Sequence, residues 1–121
     1  MQSRNKPTAY VEFVIERLEP LGNITARPMF GGFTIYCDDI PFGLVARDAL
    51  YLKADEQNRP EFEGRGLPAF RPFEDQNSVM QYYASPAEMF EDSDALKHWA
   101  GGAIEAGRRA RAKKRTRRRR Q

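Results

Sequence analysis

The sequence has a single cysteine, Cys37, and a single histidine, His98, in 121 residues. One cysteine closes no internal disulfide, which argues against a small secreted scaffold stapled by bridges and for a reducing, cytoplasmic setting. One cysteine with one histidine also falls short of a Cys/His metal cluster, and no local sequence supports a Cys-His nucleophile pair. No run approaches the ~18 apolar residues needed to cross a bilayer, and the polar start at residues 1–6 lacks the apolar core of a signal peptide. No membrane association is expected. Acids are missing from one stretch altogether: residues 108–120 hold ten Lys/Arg and no Asp or Glu.

That gap divides the chain. The formal net charge of +3 is the sum of about −7 over residues 1–107, where ten bases face seventeen acids, and +10 over the basic run. The two parts are opposite kinds of surface on one chain. Hydrophobic residues at 40% and aromatics at 12% lie in the globular range, enough for one domain with a modest core but not for two. The expected organisation is a domain over residues 1–107 and a disordered Arg/Lys-rich tail over 108–121.

Val11, Val14, Ile15 and Leu18 recur at helical spacing over residues 8–19, with Pro7 suited to the first turn and Pro20 and Gly22 ending it. From residue 25 to 54 the texture changes to short runs rich in Ile, Val, Phe and Tyr, punctuated by Gly31-Gly32, Asp38-Asp39 and Arg47-Asp48. These are hairpin signals, and they predict strands at 33–37, 42–46 and 50–53 within a meander of three or four strands. Asp55 suits the cap of a short helix reaching about Glu63, with Phe62 inward and Gly64 and Gly66 breaking it. Residues 78–83 have strand character, and Ser85-Pro86-Ala87-Glu88 reads as a helix start. A last helix from about Ser93 carries Leu96, Trp99, Ala100, Ala103 and Ile104 as its buried stripe. Its Gly101, Gly102 and Gly107 each cost ~1 kcal/mol relative to alanine, which predicts fraying and a boundary near Gly107. The predicted fold is α+β, a two-layer sandwich in which helices pack on an antiparallel sheet of about five strands, in the order helix, meander, helix, strand pair, helix.

Met29-Phe30-Gly31-Gly32, Tyr36, Phe42-Gly43-Leu44-Val45 and Leu50-Tyr51-Leu52-Lys53-Ala54-Asp55, followed by Asn58, Phe62, Gly66-Leu67-Pro68, Phe70, Met80, Tyr82-Tyr83, Pro86 and Trp99, stand in a recognisable order. In these motifs the chain resembles the N-terminal domain of the TfoX/Sxy family over roughly residues 8–106. The resemblance implies a two-layer α+β fold and a regulatory role without catalysis. Full-length members are regulators of natural competence that act as coactivators with the cyclic-AMP receptor protein at promoters, which makes a transcription-regulatory protein the expected partner. They carry a second, helical domain where this sequence has its basic run, and Thr34 and Asp39 stand where the family has glycine.

The residues that could carry chemistry have plainer structural readings. Gly31-Gly32 lacks the Lys-Ser end of a phosphate-cradling loop and the spacing of a dinucleotide site, so a tight turn accounts for it. Cys37 sits in an alternating strand as a reduced, partly buried thiol, and His98 is placed on a helix flank. Asp38-Asp39, Glu74-Asp75 and Glu91-Asp92-Asp94 fit turns and helix starts and form no metal loop. Phe30, Phe33, Tyr36, Phe42 and Tyr51 could stack bases, but they alternate with aliphatics and lack interleaved cations, as core residues do. No catalytic, metal or cofactor site is expected.

The candidate site is the basic run itself: Arg108, Arg109, Arg111, Lys113, Lys114, Arg115, Arg117, Arg118, Arg119 and Arg120. Cations at this density seek polyanions and displace the counterions of nucleic-acid phosphates, giving DNA or RNA binding without sequence preference and with steep salt dependence. The competing reading is a solvated end that folds back on the acidic body or serves solubility.

Overall fold

The computed structural model describes residues 8–29, 31–71 and 81–120, with the side chains of the last three of these left out. The order of elements is α1 (Ala9–Leu18), β1 (Ile24–Met29), β2 (Gly32–Cys37), β3 (Ile40–Ala46), β4 (Ala49–Lys53), α2 (Arg59–Gly64), β5 (Tyr82–Ala84) and α3 (Ser93–Arg120). The five strands form one antiparallel sheet in sequential order. The α+β architecture with helices on a five-stranded antiparallel sheet is the one the sequence predicts. Expectations resting on Pro7, Phe30, Glu74-Asp75 and residues 78–80 lie outside the described residues.

Thr8 caps α1, its Oγ1 accepting the Val11 N–H at 3.2 Å. Val11, Val14 and Leu18 are fully buried, as their spacing demands. The meander is tightened by two-residue turns: Cys37 pairs with Ile40 and Ala46 with Ala49. Asp38, Asp39, Arg47 and Asp48 all take positive φ, between 50° and 67°. This primed-turn geometry matches the right-handed twist of the strands. At the first hairpin Met29 pairs with Gly32, whose α-hydrogen lies where a Cβ would sit 2.3 Å from the Val45 carbonyl oxygen, so nothing larger fits.

One core joins α1, one sheet face and α3. Phe33, Ile35, Cys37, Val45, Leu50 and Leu52 point into it, with Phe62 from α2, Met89 from the connection before α3, and Trp99, Ala100, Ala103 and Ile104 from α3. Phe62 stacks on Tyr83 at 5.4 Å and meets Trp99 at 5.1 Å, tying α2, β5 and α3 together.

The structure differs from the sequence expectation at four places. The helix expected from Asp55 begins at Arg59. The Asp55 side chain closes a turn by accepting the Gln57 N–H at 3.0 Å, while Asn58 Oδ1 accepts the Asp55 N–H at 2.7 Å. Local side-chain bonds here outcompete the first helical turn. The expected strand pair is β5 with a single bridge between Ala69 and Tyr83. After Pro86 the chain makes only a short 3-10 turn, and the Ser85 N–H extends the sheet by donating to the Leu50 carbonyl at 3.0 Å.

The fourth difference is the largest. The tail expected to be disordered from Arg108 is helical through Arg120, continuous with the core helix. Burial of Leu96, Trp99 and Ile104, at ~1.5–3 kcal/mol for each large side chain, outweighs ~1 kcal/mol per glycine and carries the helix through Gly101 and Gly102. From residue 108 to 120 the sequence is Arg, Lys, Ala and one Thr, mostly strong helix formers, and cations near a helix C-terminus suit its dipole. Gly107 marks a contact rather than a break. A Cβ there would lie 2.6 Å from Ile40 Cγ2 and 2.7 Å from the Pro41 carbonyl oxygen, so glycine lets α3 lie directly on β3.

Candidate functional site

At 1.5 Å per residue, α3 is ~42 Å long, and its second half carries the ten cations. A helix groups residues three and four apart, which sorts the described side chains into two rows. Arg108, Arg111 and Arg115 form one. Arg109, Lys113 and Arg117 form the other, with Lys114 at its side.

The structure gives these residues different jobs. Arg109 closes on Asp55, its Nε 2.6 Å from Oδ2 and its Nη2 2.9 Å from Oδ1, a two-pronged charge-assisted contact in a half-buried setting. That guanidinium holds the Asp55 carboxyl down to about 2, and the carboxylate pushes the arginine up in turn. Arg108 donates to Glu105 at 2.8 Å on the same helix, and Arg111 Nη2 donates to the Asp39 carbonyl at 2.8 Å in the β2–β3 turn. The fold-back alternative therefore describes two of the ten, Arg109 and Arg111. Lys113, Lys114, Arg115 and Arg117 are exposed. The structure places Arg118, Arg119 and Arg120 on the same helix.

Each row borders a groove. Arg108, Arg111 and Arg115 line one of about 420 Å³ with Ile40, Ala112 and Thr116. The Arg109–Lys113 row lines another of about 340 Å³, whose far wall includes Lys53, Arg59 and Gln81. Burial, reinforced by the Lys114 charge, pulls the Lys53 ammonium below the usual lysine range. Its Nζ sits 5.2 Å from the centre of the Tyr82 ring, and burial pushes the Tyr82 phenol up to about 12.

Cys37 is fully buried, its thiol pushed up by burial and donating to the Leu21 carbonyl at 3.6 Å. His98 pairs with Glu61 at an exposed site. Phe33 and Phe42 are in the core, and Tyr51 packs on Phe70 at 4.9 Å. Among the described residues, no group of three or more His, Cys, Asp or Glu is placed to hold a metal ion. No helix among them is long and apolar enough to cross a membrane.

The profile of the TfoX N-terminal domain matches residues 16–107. The chain belongs to this family. The match takes in the last turn of α1, the whole sheet and the core half of α3, and it stops at the glycine where α3 touches β3. The basic half of α3, with both cationic rows, lies beyond the TfoX domain match. No curated protein matches the chain.

Sequence reasoning found the cations but missed Lys53, Arg59 and Asp55 as their neighbours. Asp55 and Arg109 are 54 residues apart, and no local pattern links them. The usable signal is the helical period: run unbroken past Gly107, it carries the arginines back along the sheet.

Proposed function

We propose that this TfoX-family chain is a non-enzymatic regulatory or adaptor protein of the cytoplasm, associated with transcription regulation. Its folded body engages a regulatory protein partner, and the basic half of α3 attaches to DNA or RNA without reading sequence. The observation that carries this reading is the exposed run Lys113, Lys114, Arg115 and Arg117 on a helix anchored to the body by Arg109. A rigid array loses less entropy on meeting phosphates than a disordered one. The test compares the intact chain with one ending at Gly107 for binding to DNA and RNA duplexes at low salt. The intact chain is expected to bind both with similar affinity and the shortened chain, acidic overall, to bind neither. Equal binding by the two contradicts the role of the helix.

A second reading, a protein-interaction module with no nucleic-acid role, draws on Phe13. It is 40% exposed, with its ring 6.1 Å from Tyr10 and 5.2 Å from Phe90. Partner capture that survives nuclease treatment and removal of residues 108–121 favours this reading.

A further inference from the structure

We infer that Arg108, Arg111 and Arg115 form a preorganised phosphate-backbone site in the groove between α3 and the β2–β3 turn, distinct from the remaining cations of the helix. The inference rests on the nucleic-acid reading above and assigns it to particular residues. The three positions fall at i, i+3 and i+7, so their side chains leave one face and span ~10 Å along the axis. Together with Ile40, Ala112 and Thr116 they line the groove of about 420 Å³, and among the described residues no carboxylate lines it. Two of the guanidinium groups are already oriented. Glu105 holds Arg108 from one turn back, and the Asp39 carbonyl holds Arg111 from the turn. Each contact uses one terminal nitrogen and leaves the guanidinium other N–H groups for a phosphate oxygen pair. Arg115 is exposed at the open end. Arginine's planar fork matches phosphate bidentately, whereas a lysine is a point charge, so this row recognises phosphodiester geometry that Lys113 and Lys114 do not. Arg109 is excluded, because its fork is already filled by Asp55.

The test sets two triple variants of equal charge against each other: R108Q/R111Q/R115Q and K113Q/K114Q/R117Q. Fluorescence anisotropy with a short DNA duplex, the corresponding RNA duplex and single-stranded DNA, at about 50 mM salt and upward, gives affinity and salt slope. The first triple is expected to weaken duplex binding at least ~10-fold and to flatten the slope by about 2–3; the second is expected to cost ~3-fold. Equal losses from the two triples overturn the site while leaving the nucleic-acid reading standing. Absence of binding by the unaltered chain overturns that reading itself. If circular dichroism shows the first triple unfolded, Arg115→Gln alone decides. It should weaken binding more than Arg117→Gln does, and equal effects count against the site.

Discussion

Asp55 and Arg109 carry the contact that fixes the basic half of α3 to the sheet. The carboxyl titrates at about 2 in the folded chain because Arg109 donates to it. A carboxylate in an unfolded chain titrates near ~3.9, so the contact stabilises the fold fully above that pH and is lost as pH falls from about 4 through 2. The pair is partly exposed, with side chains 27% and 32% accessible, and solvent screening reduces its worth to about 1–2 kcal/mol. Asp55→Asn should lower stability by that amount at neutral pH and make the decline between pH 4 and 2 shallower. Urea unfolding across that range measures both. At a second position, Arg47 takes φ 53° without the short polar side chain that eases it. Arg47→Asn should raise stability by ~0.5–1 kcal/mol, read as a higher thermal midpoint. The turn at Arg47-Asp48 was legible from the pattern of strands around it. The Asp55 contact was not, because it depends on the packing of elements distant in sequence.

Among the elements, α3 shows where local propensity and tertiary packing part company. Three glycines predict fraying, yet they do not all sit alike. Beside Gly101 and Gly102 there is open space, whereas Gly107 is pressed against Ile40 and Pro41. Gly101→Ala should therefore stabilise by up to ~1 kcal/mol. Gly107→Ala should destabilise by ~1–3 kcal/mol, because α3 must lift from β3 to admit a methyl group. Chemical denaturation of the two variants checks the opposite signs. The strands β2, β3 and β4 were legible because turn dipeptides mark their ends, and α1 because its helical period agrees with its burial. The start of α2 was not, since Asp55 and Asn58 satisfy each other's neighbourhood before the helix begins.

Across the whole molecule, the separation of an acidic body from a basic run was plain in the sequence, and the structure changes its meaning. The basic run is the continuation of a core helix, held at Asp55 and Asp39 and presenting cations beyond them. Opposite charges within one chain partly pair with each other, and Lys113, Lys114, Arg115 and Arg117 stay exposed. The most direct measurement is the dependence of duplex binding on salt, as log K against log salt concentration. The account predicts a slope of roughly −3 to −5 for the intact chain, four or five phosphates at about −0.9 each, and no measurable binding for the chain ending at Gly107. A slope near zero, or one unchanged by the truncation, would contradict it.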